Sequence, residues 1–108
     1  MLNEPMRIEI FGGLRVIHGE NIIDRFRTRK AASLLARLAL FPHRAHSREE
    51  LIDLLWPEMD PEAGRVNLRQ TLYSLRHALD CKGESVFESD KSSIRLRADS
   101  VVTDVADF

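Results

Sequence analysis

Only one cysteine, Cys81, occurs in the 108 residues, so no internal disulfide can form. The same scarcity leaves His18, His43, His46 and His77 without companion thiolates, and their spacing is not that of metal ligands, so no metal site is expected. No long apolar run and no signal-peptide pattern are present; neither a membrane span nor export is expected, and the chain reads as cytoplasmic. Glycine is also sparse, at 5 residues, and the sequence has no glycine-rich phosphate loop, no G-x-S-x-G elbow and no H-E-x-x-H. Helix capping is a sufficient reason for the pair Glu49-Glu50, and the expectation is a non-enzyme without cofactor or small-molecule ligand. Finally, an excess of either charge is missing. A formal net charge of −1 argues against a generic polyanion binder, which is usually strongly basic.

What is present is segregated. Residues 63–79 carry Arg65, Arg69 and Arg76 without an acid, and residues 25–30 carry Arg25, Arg27, Arg29 and Lys30 without one. Glu58, Asp60 and Glu62 crowd into a single short stretch, and from Asp80 onward 7 acids face 4 bases. Such a distribution is what local contacts to an anion require, whatever the total. With 44% hydrophobic residues, a chain of this length supports one modest core.

Periodicity orders the elements. RIEIF (7–11) and LRVI (14–17) alternate as strands around Gly12-Gly13, which suggests a tight two-residue hairpin, and His18-Gly19-Glu20-Asn21 turns the chain toward a short third strand at Ile22-Ile23. TRKAASLLARLALF (28–41) spaces Leu34, Leu35, Leu38 and Phe41 as one helix face and is stopped by Pro42. Ser47 and Glu50 form an S-x-x-E capping box ahead of Leu51, Ile52, Leu54, Leu55 and Trp56, with Pro57 beyond. After the acidic loop PEMDPE (57–62), GRVNLRQTLYSLRHALD (64–80) forms a third helix. At about 100° per residue its Leu68, Leu72, Leu75 and Leu79 make one stripe, and Gln70 lies almost diametrically opposite. VFES (86–89) and SIRLR (93–97), joined by Asp90-Lys91-Ser92, read as a closing hairpin.

Sheet, helix, helix, loop, basic helix and hairpin in that order predict an α+β fold, a winged helix-turn-helix with an N-terminal antiparallel sheet, three helices and a C-terminal hairpin wing. In such a fold the third helix suits a DNA major groove, which is about 12 Å wide and accepts one helix. The leucine side then stays on the protein. The segments RTRKAASLLARLAL, SREELIDLLWPEMDPE, NLRQTLYSLRHALD and the closing DVADF resemble the OmpR/PhoB-type winged helix of SARP-like regulators that carry a bacterial transcriptional activation domain. Where many such relatives have Gly-Tyr before the last strand, this chain has Ser93-Ile94.

That resemblance implies a sequence-specific transcription regulator binding direct-repeat DNA as tandem protomers, with helix 63–80 in the major groove and wing 86–97 near the minor groove. Carried over by position, it implies Asn67, Gln70, Tyr73 and Ser74 as base readers. Backbone contacts would come from Thr28, Arg29, Arg65, Arg69, Arg76, His77, Lys91 and Ser92. Glu58 and Asp60, in the loop before the reading helix, are candidates for a contact with RNA polymerase. Residues 1–100 would form the DNA-binding domain and 101–108 a stub leading to a helical domain. The competing reading is a winged helix that docks on another protein and does not bind DNA.

Overall fold

The structure is a computed structural model and describes residues 6–79, 85–97 and 101–104. Two sheets bracket three helices. Strands β1 (Met6–Glu9), β2 (Arg15–His18) and β3 (Asn21–Ile23) run antiparallel, and β7 (Val101–Thr103) adds to the free edge of β1 in parallel, giving the order β3-β2-β1-β7. Between them in the chain lie α1 (Arg29–Leu40), β4 (His46–Ser47), α2 (Arg48–Leu55), α3 (Pro61–Leu79) and the hairpin β5 (Phe87–Ser89) and β6 (Ser93–Leu96). The short β4 pairs with β6, so the wing is a three-stranded sheet in the order β4-β6-β5. This is an α+β winged helix-turn-helix.

Local chemistry sets the element ends. Thr28 caps α1, its hydroxyl accepting the Ala31 amide at 3.0 Å, and Ser47 caps α2 through the Glu50 amide at 3.3 Å. Helix α3 starts one turn earlier than its leucine period suggests, because Pro61 fits the first helical position and the Asp60 carboxylate takes the Ala63 amide at 2.8 Å. Gly12 and Gly13 do have positive φ, but β1 and β2 are joined by five residues instead of two. The reason lies at the far end of the chain. Asp104 accepts the amides of Ile10 (3.0 and 2.9 Å) and Phe11 (2.9 Å), which peels both residues off the ladder.

Strand β7 (Val101–Thr103) therefore pairs with the first sheet beyond position 100, the expected domain boundary. Cys81 and Val105-Ala106-Asp107-Phe108 lie outside the described residues. The core gathers Ile8 and Val16 from the first sheet, Leu34, Leu35 and Leu38 from α1, Leu51 and Leu55 from α2, the leucine stripe of α3, and Phe87, Ile94 and Leu96 from the wing. Trp56 is buried with them, and Lys30 lies over its ring while donating to the Leu55 carbonyl.

Candidate nucleic-acid interface

The leucine stripe fixes which way α3 faces. With Leu68, Leu72, Leu75 and Leu79 inside the core, Gln70 stands exposed on the opposite side, next to Val66, Tyr73 and His77. Tyr73 is 72% exposed and its ring stacks on that of His77, with centroids 6.4 Å apart. Ser74 is half-buried at the flank. Asn67, also half-buried, turns its amide along its own helix, donating to the Ala63 carbonyl at 3.0 Å and to Met59 Sδ at 2.9 Å. Of the four residues expected to read bases, Gln70 and Tyr73 are therefore the two that project freely.

A groove of about 620 Å³ runs beside this face. One wall is the first turn of α2 with Ser47, Arg48, Glu49 and Ile52; the other is α3 with Arg65, Leu68 and Arg69; Lys91 and Ser92 of the wing turn close one end. Four expected backbone contacts, Arg65, Arg69, Lys91 and Ser92, are thus brought to one place. Among the described residues, Arg65, Arg69 and Lys91 have no carboxylate partner, while the wing's outward arginines do: Arg95 lies 2.9 Å and Arg97 3.8 Å from Glu88.

The remaining expected contacts go elsewhere. Thr28 and Arg29 start α1, whose first turn meets the C-terminal end of α2 through Lys30 and Leu55, and neither lines the groove. Arg76 turns toward the wing, where its Nη2 donates to Ser89 Oγ at 2.7 Å, and its Nε is enclosed without a partner. Asp60 is occupied in capping α3, and Glu58 is exposed in the connecting turn.

Arg48 is the groove residue that sequence reasoning missed. Its signal is visible in retrospect: a cation in the first turn of a helix opposes the helix dipole, so that position favours an acid unless the charge is needed. Burial depresses the pKa of the Arg48 guanidinium below the ordinary arginine value, and the neighbouring Arg76 and Arg69 press in the same direction against the opposing pull of Asp90.

No family model matches the sequence, and no curated protein matches it either. Among solved structures the fold is similar to that of EmbR from Mycobacterium tuberculosis, determined in complex with a low-affinity phosphopeptide, at a TM-score of 0.73 and 22% identity. The match covers 89% of this chain and 26% of the EmbR chain, so the likeness is one of fold over about a quarter of that protein. Among the described residues no helix is long and apolar enough to cross a membrane.

Proposed function

We propose that this domain binds double-stranded DNA in a sequence-specific way, as part of a SARP-like transcription regulator, with α3 in the major groove. One observation carries the reading: Arg65, Arg69 and Lys91 converge on one groove without a carboxylate partner among the described residues, directly beside the exposed, acid-free face that bears Gln70 and Tyr73. Arg65, Arg69 and Lys91 meet phosphates of the strand that runs along the groove. Gln70 reaches the floor of the major groove, where its amide pairs with adenine in two hydrogen bonds. Tandem protomers on direct repeats, a helical domain downstream, and a partner such as RNA polymerase at Glu58 complete the proposal.

A second reading is favoured by a different feature. Val66 and Tyr73 expose apolar surface on the same face, and overall charge is close to neutral, so the face also suits another protein. Selection of duplexes from a random pool, followed by salt titration of the best site, separates the two. For about four phosphates neutralised per protomer, log K falls with log salt at a slope near −4. Gln70→Ala then weakens the selected site by about 1–3 kcal/mol and relaxes preference at one position, with nonspecific affinity unchanged. A domain with little affinity for any duplex at low salt is a protein-docking module.

A further inference from the structure

The wing turn is gripped from both helices of the helix-turn-helix. From α3, Arg76 Nη2 donates to Oγ of Ser89, the last residue of β5, at 2.7 Å. From α2, Arg48 donates twice, by its backbone N–H to the Ser92 carbonyl at 2.9 Å and by Nε to the Asp90 carbonyl at 2.8 Å. Between these holds the turn is organised by Asp90, whose Oδ1 accepts the amides of Ser92 at 2.8 Å and Ser93 at 2.7 Å. Lys91 is thereby left as the side chain of the turn that lines the groove with no partner among the described residues.

Neither arginine sits as a phosphate contact would. Arg76 is half-buried, with Nε enclosed and Nη2 already donating to Ser89. Arg48 is half-buried at the N-terminus of α2, against the dipole, with its Nε on the wing backbone. A guanidinium with one nitrogen held on a neighbouring carbonyl or hydroxyl acts as a strut, because its planar fork loses little freedom per hydrogen bond formed.

We propose that Arg48 and Arg76 are positioning residues that clamp the turn 89–92 between α2 and α3, so that Lys91 is delivered to the same run of phosphates as Arg65 and Arg69. The inference rests on the DNA-binding reading above. Without the two side-chain holds, the turn beyond the β4–β6 pairing is less tightly fixed and Lys91 reaches the strand only part of the time. The wing then behaves as a fixed extension of the reading helix instead of an independent arm.

Charge-preserving substitutions separate a strut from a phosphate contact. Ser89→Ala, Arg76→Lys and Arg48→Lys each lower affinity for the selected duplex by about three- to tenfold, the scale of one lost hydrogen bond, and reduce the magnitude of the salt slope by no more than Lys91→Ala does. In a Lys91→Ala background the same three substitutions have no further effect, since the contact they position is gone. In the free protein, Ser89→Ala and Arg48→Lys speed amide exchange over residues 89–94 and leave α1 unaltered. The clamp is overturned if the three variants bind like wild type, if their effect persists undiminished without Lys91, or if Arg76→Ala reduces the slope by about 1 while Ser89→Ala is silent. A wild-type protein that binds no duplex removes the DNA reading; amide exchange in the free protein then decides the clamp, faster exchange at the turn supporting it and unchanged exchange ending it.

Discussion

Arginine occupies two electrical settings in this molecule. Away from the groove it is paired: on the sheets Glu9 lies between Arg7 at 3.0 Å and Arg15 at 2.6 Å and Glu88 meets Arg95 and Arg97, and between the α1–β4 loop and α2 Arg44 meets Glu50 at 2.8 Å. Bonds from Arg15, then Arg7, hold the Glu9 carboxyl below the usual carboxylate range in spite of partial burial. Around the groove, Arg65, Arg69 and Lys91 have no such partner among the described residues, and the same is true of Arg25, Arg27 and Arg29, none of which lines the groove. A net charge of −1 therefore conceals cations left unpaired at the groove, which acids elsewhere in the chain offset in the total. Total charge is a poor guide to anion binding when acids and bases are sorted this way, because screening confines each group's field to about 8–10 Å in physiological salt.

The largest expected effect tests that division directly. Replacing Arg65 and Arg69 together by Ala reduces the magnitude of the salt slope by about 2 and weakens binding to every duplex alike. Replacing Arg95 and Arg97 together leaves the slope within error of wild type, since those charges already face Glu88. Equal slopes for the two double variants, measured by fluorescence anisotropy across a salt series, would erase the distinction between paired and unpaired arginines.

Gly64 sharpens the comparison from the side of packing, with a smaller effect. The groove has its width because α2 and α3 approach closely where α3 begins, and a Cβ on Gly64 would stand 2.4 Å from Ile52 Cγ2. Ile52 is β-branched and buried, so it has little freedom to swing away. Gly64→Ala gains helix propensity worth about 1 kcal/mol but must push the helices apart. The net outcome expected is a destabilisation of about 1–3 kcal/mol in chemical denaturation, with DNA affinity reduced in the folded fraction. Unchanged or higher stability would mean that the two helices can adjust without moving the groove walls.

Much of the fold was legible because its signals are local. The leucine stripe of α3, the Ser47 cap and the turn at Asp90-Lys91-Ser92 each declare themselves within a few residues and form as read, while the Glu50 half of the expected capping box goes to Arg44 instead. What escaped depends on partners far apart in sequence. The two residues of β4 carry no period of their own and become a strand through Ile94 and Ser93; β7 exists because β1 offers an open edge. Helical angle correctly turned Gln70 and Tyr73 outward. It gave no warning that Asn67 would bond along its own helix, that Asp60 would cap α3, or that Arg76 would meet the wing, since those outcomes depend on Met59, Pro61 and Ser89.

His46 presents a third setting, a basic group inside the core with no counter-charge bonded to it. It is 1% exposed at the joint of α1, β4 and α2; Nδ1 has no partner, and Nε2 is 3.4 Å from the Phe41 carbonyl. Burial pushes its pKa below the ordinary 6.5, the Phe41 carbonyl opposes this, Arg44 and Arg37 add to the depression and Glu50 counters them. The unfolded chain therefore binds a proton near pH 6.5 that the folded protein resists. Stability contributed by the neutral ring is fully present above pH 6.5 and is lost as pH falls through the depressed value, at no more than about 1.4 kcal/mol per pH unit. The carboxylates of Glu9, Asp90 and Asp104 are all held low, so their own losses come only below the ordinary carboxylate value of 4.5 and under this window. His46→Leu, which fills the site without a titrating group, is expected to flatten the stability profile below pH 6.5 while leaving the salt slope of DNA binding unchanged. A profile as steep as wild type would assign the acid sensitivity to a histidine other than His46.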